Sequence, residues 1–317
     1  MCYADAMNLN TNKPIHPQAN DDCLWNLAPS SGCLKIGRYY ALAGMALALL
    51  SACAAPTAQH RNDGTWLTKS VAGPVRGSVT SGNKALVPPL FGIATICPVA
   101  QGSAVVWVHV HENETTAWQV AQQVLAAHPT GCLYGLQHGG SRNVVVNRGG
   151  ERYQFDPNRM FTASGRQHNI VVFHGDAMQI RNQVAMAADD FFQRYLAQAK
   201  LIVAVHNNRI GGLNIHNYAV GGSLAANVAE VNINPIADAD DFFYVTSAKT
   251  YAFLAARGFN VVLQNAATVV DDGSLSVRAA HERIEYINAE AGMGHWAAQT
   301  DMLKAVAAYI QQQYHQP

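Results

Sequence analysis

The chain has 317 residues, which allows one or two domains, and 49% of them are apolar, which is enough to bury a substantial core. It carries 21 basic and 21 acidic residues, so its formal net charge of zero gives no bulk attraction to nucleic acid, and we expect no nucleic-acid partner. Charged residues make up only 13% of the chain, against about a quarter in typical proteins, which by itself favours neither a secreted nor a cytosolic protein.

The amino-terminal part of the sequence predicts an export signal. Lys35 and Arg38 precede an apolar run over residues 39–50, which is followed by small residues and Cys53. The run is too short to span a bilayer comfortably. The tetrapeptide Leu-Ser-Ala-Cys that ends at Cys53 resembles the bacterial lipobox, which implies cleavage before Cys53, lipidation of its thiol and attachment to the membrane. An ordinary signal peptide and a short buried helix are the alternatives.

The same resemblance divides the chain into four parts. Residues 1–34 are polar and rich in turn-forming residues, and we interpret them as a non-native extension or an unusually long basic region, disordered or absent from the fold. Residues 35–53 are the predicted lipoprotein signal peptide. Residues 54–88 are rich in Gly, Ser, Thr and Pro, which predicts a tether, and the folded domain would occupy residues 89–317. Because Ala54 and not Asp follows the cysteine, the resemblance implies transport to the outer membrane.

Strands and helices alternate through this folded part. The predicted strands are 104–109, 133–137, 143–147, 201–205, 242–246, 260–264 and 284–289. The predicted helices are 115–127, 178–197, 249–257 and 300–314. This alternation predicts a single α/β domain with a mixed, largely parallel, twisted sheet and helices on both faces. Cys97 and Cys132 each flank a predicted strand, and in an oxidising compartment they would form either a disulfide or two buried thiols.

Side chains suited to metal-dependent hydrolysis lie at the ends of three predicted strands. His111 and Glu114 follow the first strand, and an imidazole and a carboxylate so close together can bind one metal ion. A catalytic zinc ion usually has three protein ligands and one open position, and His206 at the end of a second strand is the candidate for the third ligand. Glu290 ends the last strand and is the candidate general base, since zinc lowers the pKa of its water to about 7. Open α/β sheets place their ligands at this edge.

A polar pair lies between these elements, in the segment Asp-Pro-Asn-Arg-Met-Phe over residues 156–161. Arg159 can bind a substrate carboxylate through two parallel hydrogen bonds, and Asn158 can orient it. The pair therefore predicts a binding site for a carboxylate group of the substrate.

The order of the motifs, H-x-x-E, then N-R, then a strand with His and a strand with Glu, resembles the zinc carboxypeptidase clan, which includes the succinylglutamate desuccinylase and aspartoacylase branch. The resemblance covers roughly residues 105–295. It implies the carboxypeptidase fold, one zinc ion on His111, Glu114 and His206, and Glu290 as the base. It also implies recognition of a terminal carboxylate by Asn158 and Arg159. The local sequences Glu-Asn-Glu-Thr and Asp-Pro-Asn-Arg-Met-Phe are closer to those of the deacylase branch. That branch, however, carries an additional β-rich carboxyl-terminal domain, whereas here the sequence has only one predicted helix after Glu290.

An arginine that steadies the transition-state oxyanion has two candidates. Arg142 is favoured, because its distance along the sequence from the Asn-Arg pair is similar to that in carboxypeptidases. Arg152 is the rival, because Arg152-Tyr153 resembles the deacylase sequence just before its Asn-Arg pair. Among the histidines, His174 is a rival to His206, and His109 is a rival to His111.

Two further side chains have no assigned role. His295 either lines the pocket or is structural, and Tyr218 is a possible donor to substrate.

The sequence thus predicts a lipid-anchored zinc hydrolase of the bacterial cell envelope, on the periplasmic face of the outer membrane. Its expected reaction is cleavage of an amide bond next to a carboxylate, in peptidoglycan stem peptides or periplasmic peptides, a substrate class inferred from location alone. The alternatives are an N-acyl amino acid deacylase and a non-catalytic binding lipoprotein with the same fold.

Overall fold

An eight-stranded sheet forms the centre of the folded domain that the structure describes, beside a smaller sheet of three strands. The computed structural model describes residues 89–99 and 103–314. The predicted signal peptide, the lipidation site at Cys53 and the tether lie outside these residues. The strands are β1 Gly92–Ile96, β2 Val105–His109, β3 Cys132–Gln137, β4 Val144–Arg148, β5 Glu151–Phe155, β6 Val171–His174, β7 Leu201–Asn208, β8 Val228–Asn232, β9 Phe242–Val245, β10 Asn260–Gln264 and β11 Glu285–Gly292. The helices are α1 Thr115–Ala127, α2 Ala163–Asn169, α3 Ala177–Phe191, α4 Ala248–Ala255, α5 Leu275–His281 and α6 Trp296–Tyr314.

The large sheet has the strand order β1-β3-β2-β7-β11-β9-β10-β8. Its middle is parallel, because β2 pairs in parallel with β3 and β7, and β7 pairs in parallel with β11. Strands β9 and β10 are parallel to each other but run against β11. The two edge strands, β1 and β8, are antiparallel to their neighbours. The carboxyl ends of β2, β7 and β11 therefore meet at one edge of the sheet.

Both faces of the large sheet are covered. Successive residues of a strand point to opposite faces, so Leu201, Val203 and Val205 of β7 pack with α1, α4 and α6, whereas Ile202 and Ala204 pack with α3, α5 and the small sheet. Because β7 is buried on both faces, its sequence is a continuous apolar run without alternation. The predicted mixed α/β class, with helices on both faces, is confirmed by this arrangement.

Several predicted elements differ from the structure. The strands β1, β5, β6 and β8 and the seven-residue helices α2 and α5 were not predicted. The long helix predicted over 178–197 is wrong at its end, because α3 stops at Phe191 and a π-helical turn, Phe192–Leu196, follows. In that turn the Ala197 amide donates to the Phe192 carbonyl, five residues back.

Two further features bear on the sequence predictions. Cys97 and Cys132 form a disulfide between the segment after β1 and the start of β3, which decides between the two alternatives left open. Within the described part of the chain, no helix has both the length and the apolar composition needed to cross a membrane.

Candidate metal and active site

The three predicted metal ligands come from two neighbouring strands and lie at the same sheet edge. His111 and Glu114 belong to the turn that leads from β2 into α1, where the Glu114 amide donates to the His111 carbonyl at 3.0 Å and Glu114 is the residue before the helix. His206 lies on the adjacent strand β7. The sequence predicted that His206 and Glu290 would end their strands, but β7 continues to Asn208 and β11 to Gly292. All three predicted ligands are almost fully buried.

Their donor atoms converge on one point. The Nδ1 atom of His111 lies 2.8 Å from Oε1 of Glu114, and the Nδ1 atom of His206 lies 2.9 Å from Oε2. The two Nδ1 atoms are 3.2 Å apart. In a tetrahedral zinc site with bonds of about 2.0–2.1 Å, neighbouring ligand atoms are about 3.3–3.4 Å apart, so these donors would need to separate by only a few tenths of an ångström. Two imidazoles and one carboxylate are also a donor set found in catalytic zinc sites. The residues present therefore fit one zinc ion.

A second layer of bonds orients His111. Its Nε2 atom lies 2.6 Å from Oδ1 of Asp156, the arrangement in which a ligating histidine donates its other N–H to a carboxylate. That bond turns Nδ1 towards Glu114. Asp156 is itself fixed, since the backbone amide of Asn158 donates to the same Oδ1 at 2.8 Å and Arg142 Nη2 lies 3.3 Å from Oδ2.

A buried amide network orients the other two ligands. The backbone amide of Asn207 donates to Oε2 of Glu114 at 3.0 Å, and the Asn207 side chain donates to Oε1 of Gln299 at 2.8 Å. Gln299 then donates to the backbone carbonyl of His206 at 2.9 Å. Helix α6 therefore supports the metal site through Gln299, which is fully buried.

The charges in this cluster favour a protonated imidazole when no metal is bound. Burial alone would lower the pKa of His111, but the carboxylates of Glu114 and Asp156 outweigh it and raise that pKa to about 9. Burial would likewise raise the pKa of Glu114, yet the neighbouring His206 and His111 hold it well below its usual value. The ligand set is thus an anionic oxygen between two ring nitrogens, and a cation at this point is electrostatically favoured.

His109, the rival to His111, is excluded from the ligand set by its own bonds. Its Nε2 atom donates to the backbone carbonyl of Glu114 at 2.9 Å, and its ring lies against Trp118. Burial lowers the pKa of His109 to about 4, so it is neutral near pH 7. Its role is to fix the turn that carries His111 and Glu114.

Glu290 lies beside His206 in the sheet, because the two residues are register partners across β7 and β11. Its side chain is buried, which raises the pKa of its carboxyl, and Asn288 on the same face of β11 donates to Oε2 at 3.0 Å. Both side chains line the cavity that also contains His111 and His206. A carboxylate with a raised pKa facing a metal site is suited to accept and return a proton.

The three remaining predicted site residues line the same cavity, which has a volume of about 180 Å³. Arg142 is half exposed, and its Nη1 atom lies 2.6 Å from Oε1 of Glu114. Asn158 accepts a hydrogen bond from the Leu275 amide through Oδ1, so its Nδ2 is the group available to a ligand. Arg159 lies on the 3₁₀ turn Pro157–Arg159, and its Nη2 atom is 3.4 Å from Asp272. The structure thus brings six of the seven predicted metal, catalytic and carboxylate-binding residues to the lining of one cavity, and the seventh, Glu114, contacts three of them, His111, His206 and Arg142.

The rival candidates lie elsewhere or have other partners. Arg152 packs over the ring of Phe173 on the small sheet, and His174 ends β6 in that sheet. His295 pairs with Asp241 at 2.9 Å and does not line the cavity. Tyr218 does line it.

Sequence reasoning missed four supporting residues. Asp156 stands in the Asp-Pro-Asn-Arg segment, so its position beside the Asn-Arg pair was a usable signal. Asn207 directly follows His206 and was equally visible. Gln299 and Asp272 come from α6 and from the loop before α5, and no local pattern connects them with the site.

Comparison with known proteins found no matching family model and no matching curated protein. Solved structures do match. The tripeptide-bound cell shape determinant Csd4 from Helicobacter pylori is 9% identical with a TM-score of 0.41, over 72% of this chain and 56% of that one. Bacteriophage poly-gamma-glutamate hydrolase is 13% identical with a TM-score of 0.34, over 72% and 93%. Succinylglutamate desuccinylase from Vibrio parahaemolyticus is 11% identical with a TM-score of 0.37, over 70% and 72%. The chain thus spans little more than half the length of Csd4.

Proposed function

We propose that this protein is a zinc-dependent hydrolase that removes a terminal residue by cleaving the amide bond next to its carboxylate. The observation that carries the proposal is the convergence of His111, Glu114 and His206 at the carboxyl ends of β2 and β7, with Glu290 in the same cavity. Carboxylate-binding groups lie in that cavity too, so the metal ligands, the base and the substrate anchor are all present together.

The residues of the chain have separate roles in this reaction. A zinc ion held by the two histidines and Glu114 would act as a Lewis acid and lower the pKa of water to about 7. Glu290 accepts a proton from the attacking water and returns it to the nitrogen of the departing amine, so that the amide bond is replaced by a carboxylate and a free amine. Arg142 stabilises the negative charge that develops on the carbonyl oxygen.

Substrate orientation is assigned to the turn that follows Asp156. Arg159 binds the terminal carboxylate, and the Nδ2 atom of Asn158 donates to it. The Oδ1 atom of Asn158 is held by the Leu275 amide at 3.0 Å, so the side chain is already oriented before substrate arrives. Asn158 and Arg159 line a cavity of about 180 Å³, and they would favour a terminal residue, which carries a free carboxylate, over an amide bond in the middle of a chain.

We further propose that the protein is anchored through a lipid on Cys53 to the periplasmic face of the outer membrane, and that its substrates are stem peptides of peptidoglycan. The support for this is the lipobox-like tetrapeptide, which implies an envelope location, and the carboxylate-binding pair in the pocket. Mass spectrometry of the amino-terminal peptide of the exported protein tests the anchor, since an unmodified Cys53 would refute it.

The activity is tested on the purified protein with stem peptides and N-acyl amino acids as substrates. We compare the wild type with His206→Ala and Glu290→Gln, measuring bound zinc and turnover. His174, which the sequence made a rival to His206, gives the matched control, because His174→Ala changes the same residue type outside the cavity. The expected result is one zinc ion per chain, lost in His206→Ala, retained in Glu290→Gln without turnover, and unaffected in His174→Ala.

The substrate preference decides between hydrolase branches. Preference for stem peptides supports the proposal, whereas preference for N-acyl amino acids assigns the deacylase alternative. Zinc bound without turnover of either substrate class supports the binding lipoprotein. A wild-type protein that binds no zinc under zinc-replete conditions contradicts the site itself.

A further inference from the structure

Glu112, the second residue of the His-Glu-Asn-Glu motif, is bonded to the turn that carries Arg142. Its Oε2 atom accepts hydrogen bonds from the backbone amides of His138 at 2.5 Å and Gly140 at 2.8 Å. That turn follows β3, the strand next to β2, so a side chain from the end of one strand fixes the loop at the end of the neighbouring strand. Glu112 has no part in the metal, base or substrate assignments above.

The backbone of this turn is shaped to hold an anion. Gly139 and Gly140 have φ angles of +103° and +75°, in the left-handed region that side-chain-bearing residues rarely adopt. Successive amides in such a conformation point into one concavity and bind negative charge. Here the negative charge is the Glu112 carboxylate. The two glycines are therefore required by the turn, and the Glu112 carboxylate occupies its concavity.

Arg142 needs such an anchor because its side chain is long and half exposed. Only Ser141 separates it from the amide-bonded Gly140. Its guanidinium lies between Glu114 and Asp156, at 2.6 Å and 3.3 Å from their carboxylate oxygens. Glu112 thus holds the backbone of the turn, while the two other carboxylates hold the guanidinium.

We propose that Glu112 is a positioning residue for Arg142, an inference that rests on the proposed function in assigning Arg142 to the transition state. Glu112 acts on the backbone, not on the substrate. With the carboxylate in place, Arg142 leaves the turn at a fixed point within reach of the scissile carbonyl. Without it, the turn samples many conformations, and a displacement of about 1 Å in a catalytic group can cost about 100-fold in rate.

Two measurements test this inference, and the first needs no activity. Amide hydrogen exchange of the metal-free protein over residues 137–143 should be at least about tenfold faster in Glu112→Ala than in the wild type, because its amides lose their acceptor. Glu112→Gln keeps an acceptor without the charge and should give an intermediate rate. Asn113→Ala is the matched control. It changes the residue next to Glu112, but within the described part of the chain the Asn113 side chain has no hydrogen bond to residues 137–143.

The second measurement is a double-mutant cycle on kcat. Arg142→Ala should lower kcat by about 10²–10³-fold, as loss of an oxyanion donor does. Glu112→Ala should lower it by about 10–100-fold, with bound zinc unchanged, and should have no further effect in the Arg142→Ala background. An equal loss in both backgrounds would show that Glu112 acts independently of Arg142. Unchanged exchange over residues 137–143 in Glu112→Ala overturns the inference whatever the activity. If the wild type turns over no substrate, the proposed function fails and the exchange rates alone decide the role of Glu112.

Discussion

The pH dependence of stability in the metal-free protein tests the electrostatics of the candidate metal site directly. Folding raises the pKa of His111 from 6.5 to about 9, because the carboxylates of Glu114 and Asp156 outweigh the effect of burial. Protonation of His111 therefore stabilises the folded protein. This stabilisation is fully present below pH 6.5 and is lost as the pH rises through about 9. Each pH unit between these values corresponds to about 1.4 kcal/mol, so the free energy of unfolding should fall by about 3 kcal/mol from pH 6.5 to pH 9.

This pH window separates His111 from the buried groups whose pKa values are lowered by folding. Glu114 and Asp156 have lowered pKa values, so their stabilisation is already complete above the pKa of an unfolded carboxyl group and is lost only in acid. The lowered pKa of His109 affects stability only below 6.5. The side chain of His295 is 25% exposed and its pKa is raised by Asp241, so a His295→Gln variant removes its contribution.

The assay is urea denaturation of the chelator-treated protein at pH 6.5, 7.5 and 9. Asp156→Asn removes one of the two carboxylates that hold the proton, so the fall in unfolding free energy should be smaller in this variant. With excess zinc this fall should largely disappear, because zinc requires neutral His111 and its apparent affinity rises about tenfold per pH unit below 9, which offsets the stabilisation lost with the proton. A free energy of unfolding that stays constant or rises between pH 6.5 and 9 in the metal-free protein would refute the assigned charge state of His111.

Three further predictions concern the surroundings of the site. Replacing Cys97 and Cys132 together with serine should lower the free energy of unfolding by up to about 4 kcal/mol, since the disulfide closes a loop of about 35 residues; urea denaturation that shows no loss would contradict this. Gln299→Leu should cost about 2–4 kcal/mol in thermal denaturation and weaken zinc binding, because two buried partners lose a hydrogen bond. Gly165→Ala should raise KM with zinc content unchanged, because the new Cβ would overlap Gly273 and the backbone carbonyl of Arg159, and an unchanged KM would show that this packing is irrelevant to substrate binding.

The parts of the fold that could be predicted are those with a strong local pattern. Helix α1 was predicted with its observed bounds because its apolar positions recur at helical spacing directly after a buried strand. The central strands β2 and β7 are continuous apolar runs. By contrast, α2 and α5 have seven residues each, too few for a clear period, and the edge strand β8 is partly exposed.

The residues of the candidate site could be predicted where a polar side chain stands at or near the end of an apolar strand, because parallel strands bring such side chains to one edge of the sheet. The choice between Arg142 and Arg152 shows the limit of that reasoning. Both arginines precede the Asn-Arg pair, and only the path of the chain places Arg142 against Glu114 and Arg152 over Phe173. Contacts that cross the fold, such as that of Gln299 with His206, depend on how α6 packs, which no local pattern encodes.

The register of β7 against β11 sets the separation of the candidate base from the candidate metal ligand His206. Eight consecutive residue pairs join these strands, and Glu290 lies opposite His206 in the sixth of them. Neighbouring strands are about 4.8 Å apart, so backbone hydrogen bonds, and not flexible side chains, determine this spacing. Insertions in the surface loops leave the ladder intact. The deletion of one residue inside β11 would turn the Glu290 side chain to the opposite face of the sheet, where α1 and α6 pack. The geometry of the candidate site is therefore tolerant of change in the loops and intolerant of a single-residue change in strand length.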